Sequence, residues 1–369
     1  MNLAARYSDY STFGSTTNGK LGLRWEATPD IVARTTYAQG FRAPSVGELF
    51  GSPARFDATI TDPCNDLPNT DPNYSKCVTL GVANPTSFHQ ANTQISVRTG
   101  GNRTLNPETS KSLTAGLVYS PTWAENRNWA NRLDFELTYY RHIIKEAIQA
   151  PDAQTQLNRC VESGNAASIF CTGISRGTSG DINGFSNILR NLGTVDTHGF
   201  DLGVDWAGPP LAVGRPGANW QTTYVGKYSA VASDSGLTEP RQIGVEVNDS
   251  AIPRVRSTLN LKWGMNFVDL GWSLRYLSAV NESCDQDRLD LGACSDPGSR
   301  SNHLKATMYH DLRVMVRLPA ATRTTLSAGV NNVLDQDPPV CVTCSLNGYD
   351  ASNYDLPGQF GYLEARIGF

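Results

Sequence analysis

The stretch RVRSTLNLKW, residues 254–263, alternates apolar and polar side chains along its length. Successive side chains of a β-strand point to opposite faces, so this stretch would form a strand with one apolar and one polar face. The apolar face comprises Val255, Leu259, Leu261 and Trp263, and the polar face comprises Arg254, Arg256, Asn260 and Lys262. A helix would scatter these residues around its circumference. The pattern therefore predicts a half-apolar strand.

The same alternation recurs along the whole chain and predicts twelve strands. They cover residues 2–10, 18–26, 31–41, 109–119, 132–146, 189–206, 218–231, 253–264, 267–279, 305–318, 323–333 and 359–369. The connections after the even-numbered strands are short. Those after strands three, five, seven, nine and eleven are long, near 42–108, 147–188, 232–252, 280–304 and 334–358.

This sidedness is typical of outer-membrane barrels, which have short periplasmic turns and long extracellular loops. A soluble sandwich has no reason to place every long loop at one end. Tryptophans Trp25, Trp206, Trp220 and Trp263 fall at strand ends on the short-turn side, as expected for an interfacial aromatic belt. The predicted fold is all-β, a transmembrane antiparallel β-barrel of about twelve strands that contacts outer-membrane lipid.

Composition excludes several other classes of protein. The 369 residues carry a formal net charge of -4, which gives no electrostatic footprint for nucleic acid. Apolar runs long enough for a membrane-spanning helix are absent from the sequence. The catalytic patterns G-x-S-x-G and H-E-x-x-H are absent as well. We therefore expect a protein that is not an enzyme and that uses no cofactor and no metal.

The eight cysteines fall in pairs within predicted long loops. The pairs are Cys64 with Cys77, Cys160 with Cys171, Cys284 with Cys294, and Cys341 with Cys344. Local pairing within each loop is the simplest connectivity, and disulfides persist on cell surfaces and in the periplasm. The alternative for the last pair is half of a zinc site, although a lone C-x-x-C is weak evidence for one.

Four motifs carry a resemblance to a known family. They are YAQGFRAPS with ELF at 37–45 and 48–50, LNPETSK at 105–111, NNVLD with a Pro-Pro pair at 331–335 and 338–339, and YDLPG at 354–358. In combination they resemble the β-barrel of TonB-dependent receptors. The resemblance implies that residues 1–369 form the C-terminal part of a 22-stranded barrel.

The same resemblance implies parts that the chain does not show. Family members carry a signal peptide, a segment that contacts TonB and a plug inside the barrel, whereas the first predicted strand of this sequence already begins at residue 2. We therefore expect a truncated or split gene product, or one part of a longer sequence. Contact with the TonB complex would then be made only through the N-terminal plug region.

The last strand has a separate predicted role. Leu363, Ala365, Ile367 and Phe369 would form its outward face, which ends on a terminal aromatic side chain. By resemblance, such a terminus is the signal recognised by the barrel-assembly machinery. Phe369, Ile367 and Leu363 are the residues that we assign to this signal.

The function implied by the resemblance is import of a scarce, bulky nutrient across the outer membrane, most simply a ferric siderophore. Candidate ligand-binding residues are Arg42, Tyr140 and Tyr228, at the long-loop ends of their strands. The alternatives are a passive channel or porin, a surface adhesin, or a non-functional receptor fragment. The loops that bind ligands diverge most, so the identity of the small-molecule ligand does not follow from the sequence.

Overall fold

The computed structural model describes residues 1–151, 153–191, 193–231, 243–247, 250–284, 292, 294–296, 298–299, 301–318, 323–344 and 348–368. Twelve strands form one antiparallel sheet, in which their order is the order in the chain. They are β1 (Asn2–Tyr10), β2 (Gly14–Thr28), β3 (Ile31–Arg42), β4 (Glu108–Tyr119), β5 (Arg132–Lys145), β6 (Thr194–Ala207), β7 (Arg215–Val231), β8 (Val255–Gly264), β9 (Val268–Leu277), β10 (Thr307–Arg317), β11 (Arg323–Asn331) and β12 (Phe360–Gly368).

The predicted all-β fold with twelve antiparallel strands is confirmed. Two strand starts differ from the prediction by more than three residues. β2 begins at Gly14 rather than at residue 18, and β6 begins at Thr194 rather than at residue 189. The second difference arises because Arg190 and Asn191 pair with Ile148 and Gln149 outside the large sheet.

One face of the sheet is apolar and exposed. Leu3, Leu21, Tyr37 and Leu113 lie in one cross-strand row, and their exposed fractions are 68, 37, 40 and 39%. The opposite face carries ion pairs across strands, such as Arg34 with Glu136 and Arg317 with Asp269. An exposed apolar face around a polar interior is the arrangement of a lipid-embedded barrel wall. None of the described helices is long and apolar enough to span a membrane.

The short-turn ends of the strands carry the predicted tryptophan belt. The indole of Trp206 donates to the carbonyl of Trp129 at 3.1 Å, and that of Trp263 donates to the carbonyl of Val213 at 2.9 Å. Trp25 is 68% exposed. Each ring thus combines an apolar body with a satisfied or solvent-facing N–H, which suits the depth of lipid headgroups.

The last strand presents part of the predicted assembly signal. Leu363 and Ile367 are 81 and 53% exposed and share the apolar face with their cross-strand neighbours. Phe369 lies outside the described residues. The role of the three residues in barrel assembly stays a prediction.

The first two long connections fold together into what we call the N-terminal loop module, residues 51–101 and 153–191. Its four-stranded sheet consists of Ala54–Thr59, Gln94–Thr99, Ile182–Ser186 and Ile174–Arg176, in that spatial order. Its helices are Tyr74–Thr79 and Ala153–Ser163, and the single turn Pro85–Ser87 is a 3₁₀ helix. Buried Ile60, Val97, Leu157 and Phe185 form its core. These loops are therefore a small folded unit.

A buried ion pair joins the two halves of the N-terminal loop module. The guanidinium of Arg176 donates to both carboxylate oxygens of Asp62, at 2.6 and 3.1 Å. Their side chains are 6 and 0% exposed. Asp62 also accepts from the Cys64 N–H at 3.0 Å, and Arg176 lies over the Phe88 ring. Desolvated charges persist only when they are paired and hydrogen-bonded in this way.

The later long connections pack into a second unit, the C-terminal loop module, whose described parts are 243–247, 250–253, 278–284, 301–306, 333–344 and 348–359. Ala251, Val280, Leu304 and Cys341 share its core. Glu282 joins two of its loops because its carboxylate accepts from the N–H groups of Val342 and Thr343, at 2.8 and 3.0 Å.

The cysteines form four disulfides, each inside one loop. The bridges are Cys64–Cys77, Cys160–Cys171, Cys284–Cys294 and Cys341–Cys344. This is the local pairing that the sequence favours. Because the Cys341 and Cys344 sulfurs are bonded to each other, they do not offer half of a zinc site.

Mass spectrometry of an unreduced tryptic digest should show these four bridges. Cleavage after Lys76 and Arg288 separates the cysteines of two pairs, so these should appear as cross-linked peptides that reduction splits. The other two pairs should each lie within one peptide that gains two hydrogens on reduction. A peptide that joins cysteines of different loops, or alkylation of unreduced protein, would contradict the pairing.

Substituting Arg176 by Met should destabilise the N-terminal loop module by about 3–5 kcal/mol, because it leaves the Asp62 carboxylate buried and unpaired. Amide hydrogen exchange in Gln94–Thr99 would measure the loss. The matched control is Glu162→Gln, which removes the exposed partner of Arg159 and should cost under about 0.5 kcal/mol. Equal exchange in both variants would show that the buried pair does not hold the module together.

Candidate ligand-capture surface

Arg42 ends β3 and joins three elements at the rim of the sheet. Its Nε and Nη2 donate to the Glu108 carboxylate at 2.6 and 2.9 Å, and its Nη1 donates to both oxygens of Glu48 at 2.9 Å. Glu108 also accepts from the Ile148 N–H at 2.7 Å. Arg42 thus connects β3, the start of β4 and the short helix α1 (Val46–Phe50). Arg42 is one of the residues predicted from the sequence to bind the ligand. In the structure, most of its guanidinium is engaged in these contacts.

Glu48 is held at the start of α1 by a capping box. The Ser45 N–H donates to the Glu48 carboxylate at 2.6 Å, and the Ser45 Oγ accepts from the Glu48 N–H at 3.2 Å. Hydrogen bonding from the Ser45 backbone, together with the Arg42 guanidinium, holds the pKa of Glu48 below its usual range. The carboxylate is therefore charged at neutral pH and pairs with Arg42.

Tyr140 and Tyr228 lie on the two strands that flank β6. Tyr140 is paired with Gly199 and Tyr228 with Thr197, so both belong to the polar, lumen-facing side near the long-loop ends. Tyr140 stacks on His142 with 5.7 Å between ring centroids. A Cβ on Gly199 would collide with the Tyr140 hydroxyl, so glycine is what allows the ring to lie against the wall. Both tyrosines are half-buried, and their contact with a ligand stays a prediction.

The N-terminal loop module carries two arginines that face each other directly. Arg55 and Arg98 are cross-strand partners in the antiparallel pair Ala54–Thr59 with Gln94–Thr99. Both are exposed, whereas the neighbouring Val97 is fully buried on the other face. Among the described residues, neither arginine has an ion-pair partner. Like charges directly opposite each other destabilise a sheet, so this pair is a candidate anion site.

A second exposed cation lies beside α1. The Arg103 guanidinium lies 5.2 Å from the centroid of the Phe50 ring, and Phe50 is 51% exposed. Such a pair offers a positive charge and an aromatic face together. Sequence reasoning missed the arginine pair, because Arg55 and Arg98 are 43 positions apart and only the register brings them together.

The last loop folds onto the lumen-facing side of β8–β10. Arg275 donates to Asp355 at 2.6 Å and to Asp311 at 3.2 Å, and Arg256 donates to Asn353. Tyr354 lies between Asn353 and Asp355 in the sequence, and burial raises its pKa to about 12. This loop is therefore bound to the interior wall.

Acidic side chains line the lumen nearer the short turns. Asp134, Glu136, Asp201 and Asp205 border a cavity of about 370 Å³ on β5–β7. Asp201 accepts from the Thr223 hydroxyl and Asp205 from the Asn219 amide, both at 2.7 Å. Asp134 is paired with Arg132, which also lines the cavity, and Glu136 is paired with Arg34. Within the described part of the chain, Asp201 and Asp205 are the lining carboxylates without an arginine or lysine partner.

Comparison with known proteins agrees with this geometry. Residues 1–333 match the family model described as TonB dependent receptor-like, beta-barrel. The chain is similar to the ferric enterobactin receptor PfeA of Pseudomonas aeruginosa in complex with enterobactin, with 18% identity and a TM-score of 0.57 over 98% of this chain and 42% of that one. It is similar to the siderophore receptor PirA of Acinetobacter baumannii, with 16% identity and a TM-score of 0.57 over 100% of this chain and 43% of that one.

At such identities the solved structures show the fold alone, and the chain spans less than half of the length of either one. No curated relative matches the chain significantly. The family model, in contrast, covers most of the sequence, which confirms the resemblance carried by the motifs. Barrels of this family lie in the outer membrane, where the exposed apolar face of β1–β12 meets lipid. The chain belongs to the TonB-dependent receptor β-barrel family.

Proposed function

We propose that the chain supplies the barrel wall and the capture loops of an energised receptor that imports an anionic iron chelate of the siderophore type. The observation that carries the proposal is the opposed pair Arg55 and Arg98 on an exposed, disulfide-stapled loop sheet. The family assignment and the siderophore receptors among similar structures support it.

The arginine pair suits an anionic ligand on physical grounds. The direct opposition of two guanidinium groups costs stability in the free protein. A bound anion replaces that repulsion with charge-assisted hydrogen bonds, which are roughly twice as strong as neutral ones. A ferric tris-catecholate is such an anion, because its phenolate oxygens carry more negative charge than the ferric ion neutralises.

The loop sheet holds the pair ready for binding. Arg98 follows Val97, which is 0% exposed in the module core, and Arg55 lies on the neighbouring strand. Two disulfides and the Arg176–Asp62 pair restrain the same module. Because little conformational entropy remains to be lost on binding, a preorganised site gains affinity.

The lumen favours energised transport over passive permeation of such a ligand. The last loop is hydrogen-bonded to the interior wall through Asp355 and Asn353. On β6, the Asp201 and Asp205 carboxylates, which have no cationic partner among the described residues, oppose an anion in the lumen. We therefore infer that passage needs work from outside this chain, which in this family would come through TonB.

Within this proposal, Arg42 is a positioning residue and not a ligand contact. Its guanidinium holds α1 and the start of β4 at the base of the first long loop. Tyr140 and Tyr228 lie deeper on the lumen wall. We propose that they lie along the path that a ligand follows through the lumen once it has left the loops.

Replacing both Arg55 and Arg98 by Gln should weaken binding of ferric enterobactin, used as the probe, by roughly 10- to 100-fold. The estimate follows from the net loss of one hydrogen bond to a charged ligand, worth about 1.5–3 kcal/mol. Titration of the purified receptor measures the affinity, and growth of the corresponding strain under iron limitation measures import. Arg127→Gln, an exposed arginine in a short turn, is the matched control and should change neither.

Three outcomes would count against this function. Unchanged growth of a deletion strain on catecholate and hydroxamate chelates would remove the iron hypothesis. Uptake that survives collapse of the proton-motive force would favour a passive channel. Unchanged affinity of the double variant would move the anion site away from this loop sheet.

Replacing Arg42 by Gln should loosen the base of the first loop without removing ligand contacts. In the native protein the pKa of Glu48 is depressed, so its contribution is present at neutral pH and is lost as the pH falls through that depressed pKa. The variant should show faster protease cleavage within residues 43–107 already at pH 7, and the acid-induced loss should move to higher pH. Arg42→Lys should restore little, because lysine cannot bridge two carboxylates in a planar fork. A weakened ligand affinity with unchanged cleavage would instead identify Arg42 as a ligand contact.

A further inference from the structure

One of the four disulfides differs from the others in its exposure. Cys344 is partly exposed, whereas the other seven cysteines are buried, and its partner Cys341 is 1% exposed. The two sulfurs of this bridge therefore differ in their access to solvent. Thiol–disulfide exchange begins when a thiolate reaches one sulfur and displaces the other, so access decides which sulfur is attacked. An external thiol can reach the Cys344 sulfur, and the Cys341 sulfur is then the leaving group.

The same bridge closes the shortest loop. Its cysteines are 3 positions apart in the sequence, whereas those of the other bridges are 13, 11 and 10 positions apart. In the chain-entropy account of disulfides, a bridge stabilises the protein through the loop that it closes in the unfolded chain, and a short loop contributes less. By that account, Cys341–Cys344 is the bridge that a reductant opens most readily.

The buried carboxylate of Glu282 lies against the buried sulfur of this bridge. Its Oε2 is 3.1 Å from the Cys341 Sγ, and Glu282 is 1% exposed. The carboxylate also accepts from the N–H groups of Val342 and Thr343 and from the side-chain amide of Asn302, which fix its position. In the bridged form the sulfur carries no hydrogen to share with Glu282. A Cys341 thiol at the same place donates its S–H to the carboxylate, so Glu282 favours the reduced form.

The bridge belongs to the loop that is bound to the interior wall. The Cys341 N–H donates to the Gly348 carbonyl at 2.8 Å, and further along the same loop Asn353 and Asp355 reach the strands β8 and β9. The long-loop side of such a barrel faces the cell exterior. Thiols outside the cell therefore have access to this loop.

We propose that Cys341–Cys344 is a thiol-exchange site, at which a low-molecular-weight thiol adds to Cys344 as a mixed disulfide. The sulfur of the small thiolate forms a bond to the Cys344 Sγ, and the bond between the two cysteine sulfurs breaks. The released Cys341 sulfur takes up the proton that the small thiol lost, and the new thiol donates a hydrogen bond to Glu282. A second small thiol then displaces the first, which leaves Cys344 reduced and the two small molecules joined as a disulfide.

A small thiol suits this site better than a folded protein does, because Cys344 is only partly exposed. The exchange uses no residue of the arginine pair in the N-terminal loop module. The inference is therefore independent of the imported ligand.

The native protein tests the proposal through the order in which its bridges open. Receptor purified in detergent without reductant is equilibrated with mixtures of reduced and oxidised glutathione, free thiols are alkylated, and tryptic peptides are analysed by mass spectrometry. The equilibrium constant for reduction should be at least about tenfold larger for Cys341–Cys344 than for the other three bridges, which serve as internal controls. At early times, fragmentation of the peptide that holds both cysteines should locate the glutathione adduct on Cys344.

The variant Glu282→Gln tests the role of the carboxylate. It replaces a charged acceptor with a neutral one, so the equilibrium constant for reducing Cys341–Cys344 should fall by roughly tenfold. The matched control is Glu162→Gln, which alters a half-exposed carboxylate two positions from Cys160 and should leave all four constants at their native values. Native amide hydrogen exchange in Val280–Ser283 and Ser301–Leu304 shows that the loop of the Glu282 variant is folded.

Reduction of Cys341–Cys344 in the native protein no more readily than that of the other bridges would overturn the proposal, whatever the variant does. A first adduct on Cys341 would overturn it as well. A native equilibrium constant in the folded Glu282→Gln protein would overturn the assignment of Glu282 as the acceptor of the released thiol.

Discussion

The structure depends on one constraint, which is that a backbone in hydrocarbon has no water with which to hydrogen-bond. Every N–H and C=O at that depth needs a partner from another strand, and an antiparallel ladder provides it. β2 to β11 meet this constraint by pairing with a strand on each side in simple chain order, and β1 and β12 form the two edges of the described sheet. Because strand pairing then fixes the faces, each residue's position in the alternation decides whether it meets lipid or lumen. The apolar rows, the tryptophan belt and the inward ion pairs all follow from that assignment.

The long loops are not subject to this requirement for backbone pairing, but a different constraint applies to them. Outside the bilayer, water can satisfy the backbone, but a small unit buries too little apolar surface to be stable by its core alone. The N-terminal loop module compensates with two disulfides and one desolvated ion pair. The C-terminal loop module uses the Glu282 carboxylate, which caps the turn at Cys341–Cys344. Disulfides and buried charged side chains therefore stabilise the loops, where the strand pairing of the large sheet ends.

The extent to which the sequence predicted this structure follows from the same division. Alternation over ten or more residues is a local signal, so the twelve strands were predicted with most boundaries within a few residues. The loop strands are short and pair with partners far away in sequence, as Ile182–Ser186 does with Gln94–Thr99. No local pattern reveals such a register. The start of β6 was wrong for this reason, and the opposition of Arg55 and Arg98 was not foreseen.

The ion-pair partners of Arg42 were not predicted from the sequence either, and its contact with a ligand stays a prediction. Its place at a strand end, in a motif shared with a transporter family, suggested a ligand contact. Its Glu108 partner, however, lies 66 residues away in sequence, and its Glu48 partner is turned toward it by a capping box. The groups around an arginine therefore distinguish a structural role from a role in ligand binding. Arginines paired with buried or capped carboxylates hold the structure together, whereas Arg55 and Arg98, which face each other without an ion-pair partner among the described residues, are the cations that we propose for anion binding.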